Sequence, residues 1–277
     1  MGPKPTTEMP KTPIAGVRHL ITIGSGKGGV GKTTVSVNLA LALKAMGRSV
    51  GLLDADVYGP NVPRMMGTQQ SPQANRDQIR PIEQYGLKLM SMGFLNPGDR
   101  PVIWRGPMLH SIMQQFVRNV DWGELDYLLV DLPPGTGDVS LSLAQSTPIT
   151  GAIVVTTPSE VSLEDGRKAV MMFRQLRVEL LGMVENMSYL IAPQSGERID
   201  VFGQGGGERT AREMDVPFLG ELPLVPEIRQ GGDSGRPVAL FGESSNLAKP
   251  FFQLAARVEE RVIEAAQKTG PTIAVEE

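Results

Sequence analysis

The chain is predicted to be an α/β protein built on a single doubly wound, mostly parallel sheet flanked by helices. Three observations carry this prediction. Short apolar runs without in–out alternation recur along the sequence, as in strands covered on both faces, and segments with helical periodicity separate them. A glycine-rich loop joins the first such run to the first such helix. With 277 residues, 40% of them hydrophobic, the chain can bury one large core, and its strand–helix alternation implies right-handed crossovers within one sheet.

Each element has its own signal. The run 19–24 (His-Leu-Ile-Thr-Ile-Gly) is a buried-strand pattern, and the helical pattern 33–46 after it stops at Gly47, a residue suited to a helix C-cap. Runs 49–53 and 127–130 are apolar and each is followed by an aspartate; runs 87–92, 152–157, 182–185 and 218–221 complete the strand set. Helices are expected at 108–117, 140–145, 163–175, 209–214 and 248–267. Residues 59–84 form a long polar insertion, expected either to bind a partner or to close over a dimer, and Gly205-Gly-Gly207 reads as a helix-start turn. The first 16 residues, with four prolines, read as a disordered lead-in and 268–277 as a flexible acidic tail, leaving 17–267 as one domain.

Net charge is −3, so no global basic field draws in nucleic acid or an anionic membrane. No stretch is long and apolar enough to span a bilayer, and the N-terminus lacks the apolar core of a signal peptide, so a cytoplasmic protein with no membrane partner is expected. There is no cysteine, and the histidines are His19 and His110 alone. Soft-metal ligation is thereby excluded, and the hard oxygen ligands that remain suit Mg²⁺. The 14 methionines read as adaptable packing.

Residues Gly26-Lys27-Gly28-Gly29-Val30-Gly31-Lys32-Thr33-Thr34 satisfy Gly-x4-Gly-Lys-Thr between a strand and a helix, the context a phosphate-binding loop requires. Backbone N–H groups of such a loop form an anion nest at a helix N-terminus. Lys32 is placed to reach the β- and γ-phosphates, and the Thr33 hydroxyl to ligate Mg²⁺. Lys27 is one cation more than nucleotide binding needs. It folds back onto its own phosphates with difficulty, so its expected target is a nucleotide held by a second subunit, in the manner of an arginine finger. That predicts an ATP-dependent homodimer.

Two carboxylate clusters fall at strand ends on the sheet edge that carries the loop. Asp54 ends the second strand and is expected to face the metal through water, with Asp56 entering the loop near the γ-phosphate. Asp131 ends the apolar run Leu128-Leu-Val and is expected to hold a metal-bound water. Gly135, in the Pro/Gly-rich turn that follows, is placed to offer its N–H to the γ-phosphate as a switch. Asp138 reads as a helix N-cap or turn former.

Taken with Asp54-Ala-Asp-Val-Tyr-Gly-Pro60, Trp104-Arg-Gly-Pro-Met108, Asp121-Trp-Gly-Glu-Leu-Asp-Tyr127, Asp131-Leu-Pro-Pro-Gly-Thr-Gly-Asp138, Val184-Glu-Asn-Met-Ser-Tyr189 and Phe202-Gly-Gln-Gly-Gly-Gly-Glu208, the loop resembles the Mrp/ApbC family over about residues 17–265. These are P-loop ATPases of the deviant Walker A, MinD/ParA-like class that act as iron–sulfur cluster carriers. The resemblance implies a homodimer enclosing two ATP molecules, with Lys27 crossing the interface, Asp56 placing the hydrolytic water and Asn186 reading adenine. It also implies an iron–sulfur client or assembly protein as partner. Many relatives carry an N-terminal domain for which the residues ahead of the first strand leave no room. The family's Cys-x-x-Cys, which would bring a bridging [4Fe–4S] cluster, is here Ala192 and Ser195. Alanine has no donor atom and a serine hydroxyl is a hard, high-pKa substitute, so the cluster cannot be held by thiolates as in the family.

The leading expectation is therefore an Mg²⁺-dependent, ATP-hydrolysing switch of this type. A ParA/MinD-like positioning ATPase shares the loop and acids but needs a basic or amphipathic surface. Arg167, Lys168, Arg174 and Arg177 are the helical candidates for one, and a solvated helix face accounts for them. A nucleotide-binding scaffold without turnover is a third reading, against which the pair Asp54 and Asp56 argues.

Overall fold

The structure, a computed structural model, describes residues 11–75, 78–95, 106–135, 137–192 and 194–268. Most of the expected lead-in (1–10), Trp104 and Arg105 of the 104–108 motif, Thr136 and the expected tail from 269 lie outside the described residues.

In chain order the elements are β1 (Val17–Gly24), α1 (Lys32–Ala45), β2 (Val50–Asp54), α2 (Val62–Met65), β3 (Gln73–Ala74), β4 (Ile79–Arg80), β5 (Ile82–Gln84), β6 (Leu87–Ser91), α3 (Gly106–Arg118), β7 (Leu125–Asp131), α4 (Asp138–Ser146), β8 (Gly151–Thr156), α5 (Glu160–Gln175), β9 (Leu180–Glu185), β10 (Leu190–Ile191), β11 (Arg198–Ile199), α6 (Gly206–Glu213), β12 (Phe218–Glu221), α7 (Pro226–Asp233) and α8 (Lys249–Lys268). Eight strands form one sheet in the order β12-β9-β8-β1-β7-β2-β6-β5. Neighbours are parallel except the edge strand β5, which runs antiparallel to β6.

The sheet is covered on both faces, which is why its strands lack alternation. Ile21, Leu52, Leu129 and Ile153 pack into one core with α1 and α8. Their chain neighbours Leu20, Leu53, Leu128 and Val154 pack into the other with α3, α4, α5 and α6. Helix α1 is buried almost all round, from Val35 through Leu43, because it lies between the sheet and α8. Each such buried aliphatic side chain stabilises the fold by roughly 1.5–3 kcal/mol. Tertiary burial therefore anchors α1, while no side chain caps its N-terminus at Gly31. The orphan amides of its first turn stay available to an anion.

Three sequence expectations need adjustment. Residues 12–14, read as lead-in, dock on the body: Thr12 N–H donates to the Ser146 carbonyl at 3.1 Å and Ile14 is buried. A lone apolar residue among prolines carries no periodic signal. The insertion 59–84 is more structured than its composition suggests, holding α2 and the β3–β4 ribbon with Val62 and Met66 fully buried. Helix α7 lacked a recognisable pattern because Ile228 is its one buried large apolar residue.

Candidate functional site

Parallel pairing brings the chemistry-bearing strand ends together. Asp131 at the end of β7 is the register partner of Asp54 at the end of β2, and Asp54 in turn is paired with Ser91 at the end of β6. The loop after β1 runs over these ends into α1. Gly26 is pressed so closely on the α5 backbone that a methyl group there would overlap the Asp165 carbonyl.

Beneath the loop lies a buried polar network centred on Asp131. Its Oδ2 accepts from Thr33 Oγ1 at 2.7 Å and faces Lys32 Nζ at 2.8 Å, while its Oδ1 accepts from Ser36 Oγ at 2.6 Å. Lys32 and Asp131 are both buried. Their contact is an ion pair without hydrogen-bond alignment, so the ammonium keeps donors for another anion. Ser36 sits one helical turn beyond Lys32, on the face turned toward Asp131, and this second hydroxyl was not anticipated from the sequence.

Asp54 is fully buried. Its Oδ1 accepts from Asp56 N–H at 3.1 Å, and its Oδ2 accepts from Val62 N–H at 3.2 Å and Ser91 Oγ at 2.9 Å. Burial, and secondarily the negative charge of Asp131, push its pKa up to about 8 despite these donors and the nearby Lys32. The two carboxylates beside the Thr33 hydroxyl form an all-oxygen donor set that suits a hard cation, whose charge would favour the ionised form of Asp54. No group of three or more acidic, His or Cys side chains encloses a metal site among the described residues. A divalent ion here would complete its shell with water and phosphate oxygens, which is how Mg²⁺ is usually bound.

Above the network opens a cleft of about 650 Å³ whose walls include residues 27–34, Asp56 and Asn186. Asp56 Oδ1 accepts from Tyr58 and Gly59 N–H at 3.1 and 3.2 Å, which fixes the carboxylate at the cleft. Asn186 Nδ2 donates to the Val30 carbonyl at 2.8 Å, and Gly31 has no room for a side chain because Asn186 occupies it. Met187, Pro223, Leu224 and Val225 supply an apolar wall at that end, one the sequence reading did not identify. Lys27 lines the cleft and enters no ion pair among the described residues. Gly135 stands apart from the cleft's lining: its N–H donates to the Ser25 carbonyl at 2.8 Å. Asp138 is an exposed first-turn residue of α4, where Gly137 is the N-cap.

Ala192 and Ser195 lie in the turn of the β10–β11 ribbon, away from the cleft's lining. Ala192 N–H donates to the Glu197 carbonyl at 2.9 Å and Ser195 Oγ accepts from Glu197 N–H at 3.3 Å. With no cysteine in the sequence, the turn offers no thiolate. Of the four basic residues read as helical, Arg177 lies beyond the end of α5 at φ 53°, and the other three are engaged: Lys168 with Asp165 at 2.8 Å, Arg167 with Glu213 at 3.6 Å, and Arg174 with the Met214 carbonyl. No helix among the described residues is long and apolar enough to cross a membrane.

Known proteins similar to this chain carry a phosphate loop as well. Residues 16–259 match the ParA family described as NUBPL iron-transfer P-loop NTPase. The chain belongs to this NUBPL iron-transfer family. It is 50% identical over 261 residues to the iron-sulfur cluster carrier protein of Synechocystis, covering 91% of this chain and 73% of that one. It is 46% identical to the iron-sulfur cluster transfer protein NUBPL of Mus musculus, over 90% of this chain and 79% of the relative. Among solved structures, a nucleotide-binding protein of Archaeoglobus fulgidus in complex with ADP aligns with a TM-score of 0.72 at 36% identity, covering 83% of this chain and 90% of that one. MinD of Pyrococcus horikoshii, complexed with Mg-ADP, aligns with a TM-score of 0.65 at 28% identity over 91% and 99% of the two chains. The NUBPL-family fold is thus that of the MinD/ParA P-loop NTPases, a mostly parallel sheet between helices, as the sequence predicted.

Proposed function

We propose that this chain is an ATP-hydrolysing switch that works as a homodimer in iron–sulfur cluster transfer, with residues 17–267 as its ATPase domain and no thiolate ligation of the cluster by its own side chains. The observation that carries the reading is the Lys32–Asp131–Thr33 network beneath a cleft that also receives Lys27, a cation without a carboxylate partner among the described residues. The names and bound nucleotides of the relatives point the same way.

ATP would lie with its phosphates in the 26–34 nest and its base against Asn186 and the Pro223–Val225 wall. Lys32 turns its remaining donors to the β- and γ-phosphates. Thr33, with Asp54 and Asp131 through water, would hold Mg²⁺, whose charge offsets that of the phosphate oxygens. Asp56 leaves Oδ2 without a protein donor among the described residues, in position to orient a water. That water's oxygen attacks the γ-phosphorus in line, the bond to the β-bridging oxygen breaks, and the water's proton ends on the phosphate released with ADP. Lys27 of the partner subunit stabilises the charge that develops. An iron–sulfur client or assembly protein would sense the dimer state.

Steady-state ATPase assays with magnesium or with EDTA, together with analytical ultracentrifugation in a non-hydrolysable ATP analogue, test the proposal. Magnesium-dependent turnover and analogue-dependent dimers are expected. A monomer under saturating analogue, or turnover indifferent to EDTA, overturns it.

A further inference from the structure

Glu185, the last residue of β9, is fully buried and enters no ion pair among the described residues. A carboxylate in that setting is costly unless its hydrogen bonds are complete. Both oxygens are used. Oε1 accepts from Ser188 Oγ at 2.6 Å and Oε2 accepts the N–H of Gly207, in the first turn of α6. The approach to α6 is so tight that a Cβ on Gly207 would stand 2.8 Å from Oε2, which gives the glycine at 207 a physical reason.

The bonds made by this one carboxylate surround the residue that faces the cleft. Between Glu185 and Ser188 the chain makes a tight turn with Met187 at φ 54°, and that turn presents Asn186, whose amide holds the Val30 carbonyl of the phosphate loop. Backbone bonds continue the clamp into the opposite wall: Leu222 N–H to the Glu185 carbonyl at 2.8 Å and Ser188 N–H to the Leu222 carbonyl at 2.9 Å. Pro223 and Leu224, next in sequence, line the cleft.

We propose that Glu185 is a positioning residue for base recognition: by clamping Ser188 and the start of α6 it holds the Asn186 turn and the apolar wall at the spacing that selects adenine. It touches neither the phosphates nor the cleft. The inference rests on the reading that the cleft binds ATP. Loosening the clamp therefore acts on the base and spares the γ-phosphate chemistry.

The test compares wild type with Glu185→Leu, which can accept neither bond, and with the milder Ser188→Ala, using ATP and GTP as probes. Each substitution leaves a buried hydrogen-bonding group unpaired. The wild-type preference for ATP over GTP in kcat/KM should accordingly fall about ten-fold or more in each variant, through KM for ATP, with kcat within about two-fold. Ser188→Thr, which keeps the hydroxyl, should restore the preference. The ratio of two substrates on one preparation is insensitive to the fraction of folded protein, so a general loss of structure does not imitate the result. If wild type prefers ATP and both variants keep that preference, or lose kcat with KM unchanged, the role of Glu185 is overturned while the ATPase reading stands. If wild type binds no nucleotide, that reading falls and this inference with it.

Discussion

Asp54 and Asp131 stand side by side at the C-terminal ends of adjacent parallel strands, exact register partners and both fully buried. Two carboxylates so placed in a low-dielectric site resist carrying two charges, and the protein resolves this by holding Asp54 protonated to about pH 8.

The pH consequence has a definite sign. Because the folded-state pKa of Asp54 lies above its unfolded value, the folded state binds the proton more tightly. The contribution to stability is complete below about pH 4 and is lost as pH rises through about 8. For protein free of nucleotide and metal, differential scanning calorimetry should show an alkaline decline in Tm over that window which Asp54→Asn makes shallower. An unchanged pH slope in the variant refutes the assignment.

The two loop lysines should separate kinetically. Lys32→Ala removes a cation from the subunit's own phosphate site, so both nucleotide affinity and turnover should drop, kcat by about 10²–10³. Lys27→Ala should leave ADP affinity within a few-fold and abolish turnover by about 10³ or more, the scale of a charge supplied in trans. Isothermal titration and ATPase assays on both variants decide this. Equal losses of ADP affinity would argue against the division of labour.

Two loop glycines differ in what surrounds them. Gly26→Ala drives a methyl into the Asp165 backbone and should destabilise the protein by about 1–3 kcal/mol, with loss of nucleotide binding. Gly28 has open space, its nearest neighbour being Pro134 at 4.0 Å, and Gly28→Ala should stay within about 0.5 kcal/mol of wild type. Urea denaturation of the pair provides the comparison.

Anaerobic reconstitution with iron and sulfide should leave the wild-type protein without a stoichiometric cluster, since no thiolate exists to hold one. The double variant Ala192→Cys, Ser195→Cys should acquire a [4Fe–4S] absorbance with about one cluster per dimer, because four thiolates require two ribbons. Stoichiometric iron and sulfide in the wild type would refute this account of the turn.

Much of the site was legible because phosphate binding demands particular residues at fixed spacing. The loop 26–34 and the strand-end acids Asp54 and Asp131 fall at the strand–helix junctions that the alternating pattern locates, and Asp56 lies two residues past the end of β2. Ser36 and Ser91 were missed, although each had a signal. Ser36 follows Lys32 by one helical turn, and Ser91 ends the strand next to Asp54 in register. Registers across a sheet are set by tertiary pairing, and single polar residues at strand ends become informative only once the strand order is known. Glu185 was hidden for the same reason, since its partner Gly207 lies 22 residues on. The edge strand β5 buries Ile82 alone, too little for an apolar run to announce it.

The bond from Gly135 N–H to the Ser25 carbonyl ties the turn beyond β7 to the residue that follows β1. Under the proposed function, a third phosphate that recruited this amide would first have to release it from Ser25, whereas a diphosphate would offer no terminal group to compete for it. On that reading, loss of the γ-phosphate would let that bond re-form, so that the contact between the turn beyond β7 and the residue after β1 would follow the state of the nucleotide.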